Sequence, residues 1–310
     1  MKSKKSYLLF SLKLIFGLAV LCFVSWKGYR AFQTNDFTQI SIQSNGLFYG
    51  IIAFLLMGLN WSLESKKWQI LIHSIQPMTF KSALIAVLAG ISTGIITPNR
   101  LGNFIGRIAF VEKDARLKAT LLTLLSNLAQ FVTTVSFGLV GLFFVGSSYF
   151  KNASYLMPII GAVILFFGIL IYLKPNRINI RPLNYFIPEK VGDGIHFVSE
   201  TSLNIKLKII GISGVRHLVF VTQYVLIISL FIQDIAVHDL YTHIAVVYLL
   251  VTLIPSLFFG KLFLREAAAL VILSQLGIPD SIILITGFLL WFINIAIPSV
   301  IGAFFLIGKK

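Results

Sequence analysis

Long apolar runs follow one another along most of this chain, and they constrain the fold more than any other feature. A helix needs about 20 apolar residues to cross the hydrocarbon core of a bilayer. Candidate runs of that kind lie at residues 7–26, 47–63, 82–97, 119–145, 155–173, 209–232, 241–258 and 281–307. With 57% hydrophobic and 12% charged residues, the sequence excludes the soluble globular classes. We therefore predict an all-α polytopic membrane protein.

Two shorter apolar stretches, 101–111 and 262–276, decide the predicted topology. If both enter the membrane as broken or re-entrant helices, the chain makes ten passes. The basic residues on flanking segments then divide into 17 on the proposed cytoplasmic side and three on the other. Because this bias follows the positive-inside rule, we predict eight full helices plus two broken ones in one integral membrane domain, with both termini cytoplasmic.

Six basic residues fall within the predicted membrane body. They are Lys13, Arg100, Arg107, Arg216, Lys261 and Arg265. A central charge costs about 2.5 to 3.5 kcal/mol on insertion scales, so each needs a partner or a role. Lys13 lies near a helix end, where snorkelling is the simplest explanation. For Arg216, snorkelling or a hydrogen bond within the bundle is favoured over contact with a ligand.

Four of these cations belong to two similar motifs, each with a proline, a glycine and then an arginine. The first is TPNRLGNFIGR at 97–107, and the second is PSLFFGKLFLRE at 255–266. The prolines and glycines that we expect to shape the backbone of these motifs are Pro98, Gly102, Gly106, Pro255 and Gly260. In the ten-pass topology the motifs lie in oppositely oriented halves, of about 1–150 and 151–310. We therefore predict an inverted repeat of five plus five passes, with the interrupted segments lining a site near the midplane.

Helical spacing indicates which motif side chains share that site. The predicted substrate-binding residues are Arg100, Asn103, Arg107, Lys261, Arg265 and Glu266. The first three stand at i, i+3 and i+7 on one stripe, and the lysine and arginine of the second motif stand at i and i+4 on another. Glu266 is the one carboxylate that this topology leaves in the membrane body, and we expect it to pair with Arg100, Arg107 or Lys261.

One acid cannot neutralise four bases, so an anionic ligand is the natural complement, and the arginine fork suits phosphate oxygens. The alternative is that these arginines lie at the membrane edges and bind only lipid headgroups. The pair Gly102 and Gly106 forms a GxxxG pattern, which favours close helix packing. Interhelical hydrogen bonds are the favoured role of the apolar-segment amides, Asn60, Asn127, Gln130, Gln223 and Asn294.

At these motifs the chain resembles the transmembrane, flippase-like region of the lysylphosphatidylglycerol synthase family, also called multiple peptide resistance factors. The first motif resembles the family's proline-x-arginine-x-glycine segment, and the second its glycine-rich stretch ending in arginine-glutamate. Asn103 stands where the family often has an acid, and the glycine-rich run is reduced to Gly260. Full-length synthases also carry a soluble aminoacyl-transfer domain, whereas the longest polar segment here is 174–208. We therefore expect no lysyltransferase activity from this chain.

Three functions fit these observations. The favoured one is a flippase-like translocator in a bacterial inner membrane, which binds an anionic or phosphate-bearing lipid headgroup at the intramembrane arginines and lysine. The second is a noncatalytic membrane subunit for a separately encoded lipid-modifying synthase or glycosyltransferase. The third is a membrane enzyme, for which Glu266 would be the acid or base. No nucleotide motif or zinc-ligand spacing occurs, so we expect no cofactor and no metal, and no nucleic-acid partner.

Overall fold

The computed structural model describes residues 2–34, 37, 40–97, 101–149, 156–175, 189–254 and 260–308. These residues form helices and turns, and no strand occurs among them. In chain order the helices are α1 Lys2–Gln33, α2 Gly46–Ile72, α3 Phe80–Ile95, α4 Gly102–Ile108, α5 Arg116–Tyr149, α6 Leu156–Leu173, α7 Glu189–Ser199, α8 Leu203–Ser229, α9 Val237–Leu253, α10 Gly260–Leu273, α11 Asp280–Trp291 and α12 Ile297–Ile307. A π-helical turn, Phe292–Ala296, joins α11 to α12.

Several of these helices are long and apolar enough to cross a membrane. Among the described residues, four stretches meet that condition by length and composition: Gly46–Ile72, Lys113–Val145, Leu203–Ser229 and Asp280–Ile307. Three shorter apolar helices lie at Phe80–Ile95, Pro158–Leu173 and Val237–Leu253. Large side chains such as Phe143, Phe166 and Phe304 are exposed on the outside of the bundle, as expected for a surface that meets lipid. The all-helical architecture is that of a polytopic membrane protein, and the number of passes stays a prediction.

Local sequence signals set several helix ends. The Thr79 hydroxyl accepts a hydrogen bond from the backbone N–H of Ser82 and caps α3, and Ser202 caps α8 in the same way through Ile205. After α10, Gly277 adopts a left-handed conformation with φ of 75°, which ends the helical path and turns the chain towards α11. Glycine adopts this conformation without the steric cost that a side chain would add.

Two apolar cores lie inside the bundle, and a polar layer separates them. One core lies mainly between α5, α8, α9, α10 and α11, and the other between α2, α3, α5 and the first half of α8. On α8, for example, Arg216 lies between Ile209 of one core and Val221 of the other. Buried polar side chains interrupt α2 and α5 at the corresponding level. The packing therefore places ionisable groups between two buried apolar cores.

One helix is longer than the apolar runs predict. The run 47–63 ends before Glu64, but α2 continues without interruption to Ile72. Glu64 and Lys67 are consequently helical, and each is buried inside the bundle. The physical reason is that both charged side chains have partners on neighbouring helices. The polar residues after the apolar run can therefore stay helical and buried.

Candidate functional site

A single carboxylate, that of Glu64, lies among three cationic side chains. Its Oε1 accepts a hydrogen bond of 2.9 Å from Arg107 Nη2. Its Oε2 lies 3.0 Å from Arg216 Nη1 and 3.1 Å from Lys67 Nζ. All four side chains are buried, and they are called the Glu64 cluster below. Removing each charge from water costs several kcal/mol, and the attraction between close opposite charges offsets about that much. Such a group is therefore stable only when its members are closely paired.

Three helices supply this cluster through regular spacing. On α2, Asn60, Glu64 and Lys67 stand at i, i+4 and i+7 and so share one face. On α4, Arg107 Nε donates a 2.9 Å hydrogen bond to Asn103 Oδ1, which places these two residues on one stripe as their spacing predicts. The third helix, α8, contributes Arg216. The cluster thus ties α2, α4 and α8 together.

Glycines let α4 lie directly against α3. A Cβ atom on Gly106 would lie 2.6 Å from Gly90 Cα, closer than real side chains approach. A Cβ on Gly102 would overlap the Thr93 carbonyl, and the Thr93 hydroxyl donates a 2.6 Å hydrogen bond to the Gly102 carbonyl. These glycines therefore serve helix packing, and that close approach holds Arg107 at the height of Glu64.

Arg216 lies in the middle of its helix, with thirteen residues on either side within Leu203–Ser229. That position is about 20 Å from either end, so of the two predicted alternatives snorkelling is wrong and a hydrogen bond within the bundle is correct. Besides its ion pair with Glu64, Arg216 donates from Nε to Asn60 Oδ1 at 2.8 Å and from Nη1 to Gln130 Oε1 at 3.3 Å. Its guanidinium also lies 5.0 Å from the centre of the Phe220 ring.

A chain of side-chain amides extends from Arg216 to the π-helical turn. Asn60 Nδ2 donates to Asn294 Oδ1 at 3.2 Å, and Asn294 Nδ2 donates to Gln223 Oε1 at 2.8 Å. Gln223 in turn donates to the carbonyl of Ala53 at 2.8 Å. The chain connects α2, α8 and the junction of α11 with α12. Asn294 lies within the π-helical turn, a feature that is frequent at functional sites.

A second ionic pair lies on α10. Arg265 contacts the carboxylate of Glu266 through Nη2 at 2.6 Å and through Nε at 3.1 Å. Nη2 also donates to the carbonyl of Gly287 on α11 at 2.6 Å. A Cβ on Gly287 would overlap the Glu266 carboxylate, so the missing side chain makes room for the pair. The expected pairing of Glu266 with Arg107 is wrong, because Arg107 pairs with Glu64. Pairing with Arg100 or Lys261 stays a prediction, since Arg100 and the side chain of Lys261 lie outside the described residues.

The two ionic groups meet at one cavity of about 220 Å³, called the arginine cavity below. Its lining residues include Trp61, Arg216, Phe220, Tyr248, Leu262, Arg265, Leu290 and Asn294. Arg216 reaches it from α8 and Arg265 from α10, so two guanidinium groups and a side-chain amide face a mostly apolar space. Such donors can bind the oxygens of an anionic group while the aromatic rings exclude water.

The sequence profile of the family described as Lysylphosphatidylglycerol synthase TM region matches residues 11–302. The chain belongs to this family. A comparison with curated proteins and a comparison with solved structures each found no match. The match contains both motifs, the Glu64 cluster and the arginine cavity. Membership makes the chain a membrane protein related to lipid metabolism or transport.

In this lysylphosphatidylglycerol synthase TM region, the predicted residues divide into separate groups. Asn103 and Arg107 lie together beside Glu64, and Arg265 and Glu266 lie together on α10. Arg107 does not line the arginine cavity, and among the described side chains Arg216 is the cation that joins Arg265 there. Gly260 is the first residue of α10. Outside the described residues lie Pro98, Arg100, Pro255 and the side chains of Lys13 and Lys261.

Sequence reasoning missed three charged residues of this family member's site. The apolar run 47–63 ends before Glu64 and Lys67, so hydropathy alone leaves these two residues outside the predicted helix. The run 209–232 begins seven residues before Arg216, which puts that residue near the start of its predicted helix. The spacing of Asn60, Glu64 and Lys67 was the available signal, since i, i+4, i+7 polar residues directly after an apolar run can continue its helix. Glu266 is thus not the single buried acid: it and Glu64 are the two among the described residues.

Proposed function

We propose that this protein moves a phosphate-bearing membrane lipid across the bilayer and binds its headgroup in the arginine cavity. The observation that carries the proposal is that Arg216 and Arg265, from two different helices, both line this cavity. Ionisable groups deep among membrane helices mark substrate pathways because their burial is otherwise unfavourable. Two guanidinium groups offer forked donors that match phosphate oxygens, and no covalent chemistry is needed for transport.

The proposal includes ten passes in two inverted halves, with both termini in the cytoplasm of a bacterial cell. The packing of the helices supports it. α3 packs against α4 and α12, whereas α9 packs against α10 and α5. In an inverted repeat these contacts are equivalent, since α3 then corresponds to α9, α4 to α10, and α12 to α5. α2 and α8 correspond in the same way and pack against each other. In this proposal α10 and α11 would shift against the Glu64 cluster, which ties α2 and α4 of the first half to α8 of the second.

The proposed roles of the side chains follow from their positions. Arg265 and Arg216 would contact the headgroup directly. Glu266 would hold Arg265, and Arg107, itself bonded to Asn103, would hold the Glu64 carboxylate that positions Arg216. Arg100 and Lys261 stay in the proposed binding set on the spacing of the two motifs alone.

The test is reconstitution into liposomes that contain a reporter lipid with a phosphate-bearing headgroup. The main variant is Arg265→Gln combined with Glu266→Gln, which removes both charges and so leaves no buried carboxylate unpaired. We expect its transbilayer rate to fall at least about tenfold, because one charge-assisted contact contributes roughly 1.5 to 3 kcal/mol. The matched control is Lys208→Gln, which removes an exposed cation from α8 and should leave the rate unchanged.

Each outcome of this assay has a defined meaning. Equal rates in protein-free, wild-type and variant vesicles contradict transport. A lipid product of altered mass indicates the enzyme instead. A noncatalytic subunit is indicated if a partner enzyme stays active with the Arg265→Gln and Glu266→Gln double variant. The same enzyme should then lose its activity when the proposed cytoplasmic segments of this chain are changed.

A further inference from the structure

The two ionic groups beside the arginine cavity differ in charge balance. In the Glu64 cluster three cations, Lys67, Arg107 and Arg216, share one carboxylate. In the second group Arg265 faces one carboxylate, that of Glu266. Together these described groups carry two formal positive charges in excess. They are buried, so water and salt screen that excess much less than they screen exposed charges.

The cavity has room for a small anionic group. Its volume of about 220 Å³ is smaller than the roughly 300 to 1,000 Å³ of sites for drug-sized ligands, and a phosphate group fits such a space. A positively charged aminoacyl headgroup would add to the excess instead of balancing it.

We propose that the arginine cavity selects lipids with a terminal phosphate, a phosphomonoester, over lipids whose phosphate is esterified on both sides. This inference rests on the proposed function, since it concerns the same headgroup site. A phosphomonoester carries about 1.5 to 2 negative charges near neutral pH, because its second proton dissociates with a pKa of about 6. A phosphodiester carries one negative charge at every relevant pH. The second charge of the monoester therefore balances more of the positive excess, which is two on the described groups and larger if Arg100 and Lys261 also contribute.

Lys67 allows the charge to be changed without changing the cavity. It is buried, it does not line the cavity, and its Nζ contacts Glu64 at 3.1 Å and Ser213 Oγ at 3.2 Å. The variant Lys67→Met removes one excess charge and still leaves Glu64 paired with Arg107 and Arg216. The variant Lys67→Arg keeps the charge and is the matched control.

The experiment compares the binding of phosphatidic acid and phosphatidylmethanol with identical acyl chains to the full chain in phosphatidylcholine nanodiscs. The two ligands differ by one methyl group, so shape contributes little to any preference. At pH 8 we expect phosphatidic acid to bind about tenfold more tightly, the order expected when one further charge interacts with desolvated guanidinium groups. At pH 5 the monoester has gained a proton, so the ratio should approach one.

The variants test the origin of that ratio. In Lys67→Met it should fall at pH 8 to about threefold or less, and in Lys67→Arg it should stay at the wild-type value. Thermal unfolding in the same nanodiscs checks that both variants are folded. Equal binding of the two lipids by wild type at pH 8, or an unchanged ratio in a folded Lys67→Met variant, would overturn the inference. If Lys67→Met does not fold, the wild-type ratio at the two pH values decides it.

A soluble phosphomonoester separates a lipid ligand from a free one. Glycerol phosphate should compete only weakly with phosphatidic acid, and competition at equal concentration would overturn the assignment to lipids. Binding selectivity without transport in liposomes contradicts the proposed function and leaves the selectivity standing. Transport of both lipids with equal binding contradicts the selectivity alone.

Discussion

The two buried ionic groups are built in different ways. The Glu64 cluster joins three helices, and each of its contacts crosses from one helix to another or spans one turn of α2. The Arg265–Glu266 pair comes from consecutive residues of one helix, which do not ordinarily face each other. Their contact depends on the α11 carbonyl of Gly287, which accepts a hydrogen bond from Arg265.

The difference determines which helix displacements would break a buried ion pair. Displacing α2, α4 or α8 would break an ion pair of the Glu64 cluster and leave a buried charge uncompensated. Displacing α10 together with α11 would carry Arg265, Glu266 and Gly287 as one unit, with their contacts intact. The described contacts of Arg216 therefore join three helices through Glu64, whereas those of Arg265 join α10 to α11.

The largest effect expected from this comparison is that of Glu64→Gln. The substitution leaves three buried cations without their shared carboxylate, so we expect it to lower the free energy of unfolding by about 3 to 5 kcal/mol. Glu266→Gln should cost about 1 to 3 kcal/mol, because Arg265 keeps the Gly287 carbonyl and an amide oxygen as acceptors. Unfolding in mixed detergent micelles measures both. If Glu266→Gln costs as much as Glu64→Gln, the distinction between the two groups is lost.

Gly287→Ala probes the second group alone. The added methyl group would overlap the Glu266 carboxylate, which Arg265 holds in place. We expect a loss of about 1 to 3 kcal/mol in unfolding free energy, the usual range for an overpacked site. Gly58→Ala is the control, since nothing lies within 4 Å of its added Cβ and alanine favours a helix. An equal effect of both substitutions would show that the carboxylate yields freely and that Gly287 has no special role.

Much of the architecture was predictable from apolar runs, because helices in lipid must satisfy their own backbone hydrogen bonds. The Asn103–Arg107 stripe was predictable too, since it lies within seven helical residues. The Glu64 cluster was not, because its partners are 43 and 152 positions apart along the chain and hydropathy says nothing about which helices are neighbours.

Two individual residues show the same limit. The apolar run 209–232 begins seven residues before Arg216, whereas α8 begins at Leu203, so Arg216 lies in the middle of its helix and not near the start. The sequence predicts a partner for Glu266 in the first motif or at Lys261, because adjacent helical residues normally diverge. The Gly287 carbonyl that accepts a hydrogen bond from Arg265 comes from another helix, so spacing along α10 does not predict it. Contacts that depend on tertiary packing cannot be read from spacing along one helix.

The smallest change in unfolding free energy is expected for the Lys27–Asp280 ion pair. This pair is partly exposed, so it is a reference for the two buried groups. Lys27 Nζ lies 2.7 Å from Asp280 Oδ2, as close as the buried pairs, but the two side chains are 26% and 21% exposed. Since water and salt screen such a pair, Lys27→Met should change the unfolding free energy by less than about 1 kcal/mol. The effect should also vanish in high salt, whereas that of Glu64→Gln should persist. If Lys27→Met instead costs as much as Glu64→Gln, short distance rather than burial governs these ion pairs, and the contrast between the buried groups has another cause.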